Sequence, residues 1–274
     1  MIVNPDPKRM IEGLRDTGYE FETAVADLID NCIAAEASRI DIRISLDLRG
    51  NPHFSIADNG IGLDHDSLQD AMKYGASERP NPASLGKYGL GLKTASTAFC
   101  RSLSVTSRAS GDVEPLRATW DLDHVCEKGE WDLLFPNLPD PDAVSHLDAV
   151  ARNSSGTVVT WAKVDRLMKA YASPRGAFAN KALQKKIDVL NNHIARTYQR
   201  FLDFNDSRAR NAEICVNGEK INPWDPFVVG VSEIAANQTM EVEVADGGSA
   251  EFTVTAYILP RKEEFPSQEQ FKEA

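Results

Sequence analysis

The stretch TGYEFETAVADLIDNCIAA, residues 17–35, decides how the rest of the chain reads. Phe21, Ala24, Val25, Leu28, Ile29 and Cys32 recur at the spacing of one helical face, which predicts an amphipathic helix. Thr17, followed three residues later by Glu20, predicts a capping box at its start. At about 100° per residue, Asp27 and Asn31 lie one turn apart on a second face beside the apolar stripe. Ala24, Ala34 and Ala35 surround the pair with small side chains, so a ligand can approach it. A charged residue at the edge of a helix is usually just solvated. The sequence downstream argues against that reading here.

Residues 39–48 alternate strictly, with Ile40, Ile42, Ile44, Leu46 and Leu48 on one face, which predicts a strand. Arg49-Gly50-Asn51-Pro52 turns the chain, and Phe54 and Ile56 mark an antiparallel partner that runs into Asp58-Asn59-Gly60-Ile61-Gly62. Residues 64–74 read as a short helix. From 75 to 90 the pattern dissolves into Gly, Ser, Pro and Asn, which predicts a mobile loop. A helix then opens at Gly89-Leu90-Gly91-Leu92-Lys93. Further strands are expected at 103–107, 116–122 and 156–163, with a loop at 136–141 and a long helix at 180–202. Residues 1–16 read as an N-terminal arm, 17–205 as the main domain and 212–274 as the beginning of a second one. No element visibly closes that second unit, so a truncated end is expected.

A formal net charge of −11 argues against a broad electrostatic grip on nucleic acid or an anionic membrane. Cys32, Cys100, Cys126 and Cys215 show no C-x-x-C spacing, and no signal peptide or apolar membrane span is present. These features predict a cytoplasmic protein with reduced thiols.

Three segments each supply something that a nucleotide site requires. Asp58 sits at a strand end before Gly60 and Gly62; the glycines permit close backbone approach, and a buried carboxylate can accept an adenine amine. The run Leu85-Gly86-Lys87-Tyr88-Gly89-Leu90-Gly91 precedes a helix, where backbone amides can cradle phosphates and Lys87 and Lys93 add charge. On the first helix, the amide oxygen of Asn31 can complete Mg²⁺ coordination shared with phosphates. Asp27 can orient or deprotonate a water. Taken singly, each signal is weak. Asp64-His65-Asp66 has the residue types of a metal site, but charged residues opening a helix are far commoner.

Order and spacing together are more specific. An acidic residue and Asn on a helix, D-x-G-x-G after a hairpin, and a loop ending in G-x-G at a helix start resemble the GHKL ATPase superfamily. Tyr74-Gly75-Ala76-Ser77 and the run from Gly86 to Ser96 are most similar to the microrchidia (MORC) ATPases and their bacterial relatives. The resemblance implies an α/β Bergerat fold, a two-layer sandwich with helices over one face of a mixed sheet, followed by a transducer-type domain that Asn222-Pro223-Trp224-Asp225-Pro226-Phe227 resembles at its entry. It implies ATP and Mg²⁺ as cofactors, a lid, and nucleotide-dependent homodimerisation. It also implies roles: Asp27 positions the attacking water, and Asn31 holds the metal. Asp58, Gly60, Gly62 and Thr157 seat the adenine; Lys87, Tyr88, Gly89, Gly91 and Lys93 take the phosphates. The client, DNA or protein, is not legible, and no segment matches the transducer's phosphate-binding Lys.

One departure bears on activity. ATP-hydrolysing members usually carry Glu where this sequence has Asp27. Asp is one methylene shorter, so its carboxylate reaches about 1.5 Å less far, and a misplacement of that order can cost roughly 10²-fold in rate. Two readings therefore stand: a slow ATPase, or a nucleotide-gated clamp that binds ATP and barely hydrolyses it.

Overall fold

The computed structural model describes residues 6–74, 91–112, 114–138, 140–243, 248–268 and 271. Its elements run α1 (Pro7–Leu14), α2 (Phe21–Ala34), β1 (Arg39–Leu46), β2 (Pro52–Asp58), α3 (His65–Met72), α4 (Gly91–Thr97), β3 (Cys100–Arg108) and β4 (Leu116–Asp121). They continue with α5 (Leu122–Lys128), α6 (Pro141–Ala151), β5 (Gly156–Val164), α7 (Ala177–Thr197), α8 (Gln199–Leu202), β6 (Glu213–Val216), β7 (Glu219–Lys220), β8 (Glu233–Glu243) and β9 (Ser249–Ile258).

Seven strands form one mixed sheet in the order β4-β3-β5-β2-β1-β6-β7. The β1–β6 pair is parallel, and the other neighbours are antiparallel. The expected hairpin sets the register, with Ile42 opposite Ile56 and Ile44 opposite Phe54, all four buried. The strand stops at Leu46. Leu48 does not continue the buried face: it lies in the turn and is 85% exposed. There the carboxylate of Asp47 accepts from the backbone N–H groups of Arg49 and Asn51 and takes over the geometry.

Helix α2 buries the six residues of its apolar stripe against this sheet. Phe21 meets Phe54 and Trp161 edge-on, with ring centroids 6.0 and 6.3 Å apart. The capping box does not form: Gly18, at φ +76°, turns the chain, the helix begins at Phe21, and Glu20 stands at its N-cap without a side-chain bond. Helix α7 covers the neighbouring strip of core with Ala179, Leu183, Ile187, Leu190 and Ile194. At its end the Tyr198 hydroxyl contacts Asp30 Oδ1 at 2.7 Å and the Ala26 carbonyl at 2.8 Å, fixing α2 from behind.

This is the α/β arrangement expected of the Bergerat fold, with elements that the sequence reading left out, among them α5, β8 and α6. Helix α6 lies on the opposite face of the sheet, where Ala143, Leu147, Val150 and Ala151 pack on Ala57 and Val158. It is pinned there by His146, which is buried between Ser55 Oγ (2.9 Å from Nδ1) and Asp41 Oδ2 (2.9 Å from Nε2).

The chain divides into two compact units, 1–223 and 224–274. Residues 213–220, which the sequence reading groups with the second unit, add β6 and β7 to the edge of the first unit's sheet. The second unit is built on the antiparallel pair β8–β9. Its register puts Met240 opposite Phe252 on one face and Glu241 opposite Glu251 on the other. Phe227 stacks on Tyr257 with centroids 5.0 Å apart.

Candidate functional site

Strand β2 delivers Asp58 to the edge of the core, where it is 4% exposed. The next residues turn sharply. The Gly60 N–H donates to Asp58 Oδ1 at 2.8 Å. A Cβ on Gly60 would lie 2.5 Å from the Ala35 carbonyl oxygen, so the turn packs backbone to backbone on the end of α2. Gly62 sits at φ +69°, and a Cβ there would come within 1.9 Å of the Arg108 carbonyl oxygen. Both glycines are therefore demanded by the close approach, as well as permitted by it.

Burial pushes the Asp58 carboxyl up to about 6, against the opposing pull of the Gly60 N–H, the Cys32 thiol and the Thr157 N–H. Among the described residues no lysine or arginine pairs with it. A buried carboxylate that holds hydrogen bonds but no counter-charge is an unusually good acceptor for a further donor. Thr157 lies opposite Asp58 in the β2–β5 ladder. Its hydroxyl is 2.8 Å from Ser107 Oγ, which also accepts from the Leu63 N–H at 2.8 Å. Ser107 thus ties the ends of β3 and β5 to the glycine turn.

The second cluster sits on α2 itself. Asp27 and Asn31 are half-buried on one face, as their spacing predicts. Asn31 Nδ2 donates to the Asp27 backbone carbonyl at 2.7 Å, which commits the nitrogen end of the amide to the helix and turns the oxygen end away from it. Asp27 Oδ2 accepts from the Tyr19 hydroxyl at 2.7 Å. Gly91, opening α4, closes over the same oxygen: a Cβ there would stand 3.1 Å from Oδ2. Asp30 points elsewhere, to Tyr198, and burial raises its pKa. It is a packing carboxylate.

The structure therefore gathers Asp27, Asn31 and Gly91 into one cluster and Asp58, Gly60, Gly62 and Thr157 into another. Helix α2 contributes to both. Lys93 is buried, and its ammonium donates to the Ala71 carbonyl at 2.8 Å in the last turn of α3. Lys87, Tyr88 and Gly89 lie outside the described residues. Asp64 caps α3 by accepting from the Ser67 N–H at 2.9 Å, the helix-opening role that its sequence suggested. Among the described residues no cluster of three or more His, Cys, Asp or Glu side chains offers a metal cage. A site in which Mg²⁺ takes one amide oxygen, phosphate oxygens and waters needs none, and Asn31 fits that requirement.

Three residues of the site escaped the sequence reading. Tyr19 precedes the helix and carried no periodic signal. Cys32 read only as part of the apolar stripe. Ser107 depends on a strand register that single-sequence patterns do not give.

Residues 19–157, about half of the chain, match the family model described as histidine kinase-, DNA gyrase B- and HSP90-like ATPase. Mouse ATPase MORC2B is 40% identical over 77 residues, 27% of this chain and 8% of that protein. Human ATPase MORC2 is 39% identical over 85 residues, 29% of this chain and 8% of that protein. Protein MICRORCHIDIA 1 of Arabidopsis thaliana is 29% identical over 92 residues, 32% of this chain and 14% of that protein. The matched stretch thus spans a small part of each relative's length.

Proposed function

The chain belongs to the histidine kinase-, DNA gyrase B- and HSP90-like ATPase family, and from that premise we propose that it binds Mg²⁺-ATP across α2 and hydrolyses it slowly. The observation that carries this is the double use of α2. Cys32 lends its thiol to Asp58 at the adenine end, while Asp27 and Asn31, on the same helix, stand under the start of α4.

In this reading Asp58 accepts the adenine amine, the turn at Gly60 and Gly62 holds that carboxylate at the edge of the core, and Thr157 fixes the edge of the base. The oxygen end of Asn31 holds Mg²⁺, which supplies charge neutralisation to the phosphates. Asp27 orients the attacking water and takes its proton. Lys87, Tyr88, Gly89 and Gly91 meet the phosphates, with residues 75–90 closing as a lid, and Lys93 backs that wall from α4 through its bond to α3. Nucleotide binding then favours a homodimer. The free state of all four cysteines supports a reducing, cytoplasmic setting, and no described helix is long and apolar enough to cross a membrane.

The competing reading is a clamp that binds ATP without turnover, and the short side chain at Asp27 favours it. Calorimetric ATP affinity measured beside phosphate release separates the two. Wild type should bind and turn over slowly, and Asp27→Ala should bind alike and lose turnover. Asp27→Glu should hydrolyse faster if reach is limiting. Absence of ATP binding by wild type defeats both readings, whereas equal background release by wild type and Asp27→Ala leaves the clamp.

A further inference from the structure

We propose that Tyr19 is the positioning residue of the hydrolytic step: its phenol clamps one oxygen of Asp27 so that the other faces the water. The inference rests on the assignment of Asp27 just given and adds a residue that the assignment does not require.

The geometry is specific. Asp27 lies six residues into a helix that starts at Phe21, so it is about 9 Å along the axis from the helix start. From the extended segment before the helix, a long side chain is needed to reach it. Gly18, at φ +76°, turns the chain so that Tyr19 does so, and its hydroxyl donates to Asp27 Oδ2 at 2.7 Å. Behind it, the Thr94 hydroxyl on α4 bonds the phenol oxygen. Gly91, also on α4, crowds the same Oδ2. The hydrogen bond that the described residues give this carboxylate falls on Oδ2. Burial, and then the bond to Asp27, raise the Tyr19 pKa, so the phenol stays a neutral donor at ordinary pH.

A carboxylate held by one oxygen cannot spin about its last bond, so the remaining oxygen is pre-aimed. That matters more for Asp than for the longer Glu, because Asp has fewer torsions with which to find the water. In the step itself, the water oxygen forms the new bond to the γ-phosphorus. ADP departs with the electron pair of the broken bridge, and the water's proton passes to the unclamped oxygen of Asp27.

The test uses the chain as it stands, with single-turnover ATP hydrolysis, ATP affinity and melting midpoint measured on each variant. Tyr19→Phe keeps the ring and removes the hydroxyl. The expected result is a fall in the chemical rate of roughly 10- to 100-fold, as for a misaimed catalytic group, with ATP affinity within about twofold. Tyr19→Ala should lose little more in rate than Tyr19→Phe, because the hydroxyl carries the effect. If Tyr19 serves only packing, Phe will behave as wild type and Ala alone will suffer, which overturns the inference. Thr94→Val keeps the inference testable if Tyr19→Phe melts early: it removes the bond behind the phenol and should give a smaller loss of rate with unchanged affinity. Unchanged rate in Thr94→Val together with Tyr19→Phe counts against the clamp. Loss of turnover in Asp27→Ala with full turnover in Tyr19→Phe sinks this inference and leaves the ATPase reading standing. Full turnover in Asp27→Ala sinks both.

Discussion

The two faces of the seven-stranded sheet each hold a carboxylate, within one residue of each other and by opposite means: Asp58 is buried and Asp41 half-buried. Asp58 and Asp41 sit on the paired strands β2 and β1, where Asp58 is opposite Ile40 and Asp41 opposite Ala57. Asp58 faces α2 and Asp41 faces α6. For Asp41, burial pushes the pKa up, but the bonds from His146 and Arg43 outweigh it and hold the carboxyl below its usual range. For Asp58 the donors are two backbone N–H groups and a thiol, and burial prevails, up to about 6. One carboxylate is neutralised where it stands. The other is kept buried, hydrogen-bonded and short of positive charge. A protein gains nothing in stability from that second arrangement. It makes sense where a ligand brings the missing donor, which is why the α2 face carries the site and the α6 face carries the scaffold.

The most disruptive way to break this comparison is His146→Ala. It would leave Ser55 and Asp41 without their shared partner beneath α6 and open a cavity at a position 2% exposed. The expected cost is about 3 kcal/mol in denaturant unfolding, with ATP affinity of the folded protein unchanged. A loss below about 1 kcal/mol would mean that α6 is held by its apolar contacts alone. A fall in ATP affinity would mean that the two faces are coupled.

Asp58→Asn is the matching change on the other face, and its effect should appear in binding. The amide can set donor against donor at the adenine amine, which costs about 1–3 kcal/mol, a weakening of roughly 10- to 100-fold. The fold should survive without loss of melting temperature, because a buried charge with no counter-ion has been removed. Calorimetry that finds equal affinity in wild type and variant would remove Asp58 from the adenine site.

The same contrast explains what could be read in advance. Helix α2 and the β1–β2 hairpin announce themselves, because Phe21 to Cys32 repeat at 3.6 residues and Ile40 to Ile44 at two, and each period survives in the burial pattern. Asp58, Gly60 and Gly62 are adjacent in the chain, so their joint role needs no tertiary knowledge. Helix α6 escaped because its buried face mixes Ala143 and Ala151 with Leu147 and Val150 around His146, a weak apolar contrast that follows a proline-rich stretch. Ser107 and Thr157 meet only through the β3–β5 register, fifty residues apart in sequence. Tyr19 acts on Asp27 from outside the helix that periodicity describes. Lys93 read as a charge for the phosphates, but α4 is buried along Thr94, Ala95, Ser96 and Thr97 as well, and its ammonium donates to the Ala71 carbonyl.

The gentlest probe of the comparison is pH, because the two carboxylates have opposite signs. Asp58, raised from 3.8 to about 6 in the folded chain, binds its proton more tightly folded than unfolded. Its protonation therefore favours the fold as pH falls through 6, and that contribution is lost again as pH rises past 6. Asp41, lowered by its partners, contributes stability above the usual carboxylate pKa and loses it only as pH falls through its own, lower value. Between pH 5 and 7 Asp41 is silent and Asp58 titrates. Only the ionised Asp58 accepts fully from an adenine amine, so ATP affinity should fall about tenfold from pH 7 to pH 5, roughly 1.4 kcal/mol, while the unliganded fold tightens. ATP titrates in this range too, so the quantity to measure is the difference between wild type and Asp58→Asn, in which the ligand's own protons cancel. The variant should lose both the affinity slope and the stability slope. If it keeps the affinity slope of wild type, the carboxylate that senses pH is not the one at the end of β2, and the α2 face has no claim to be the adenine site on electrostatic grounds.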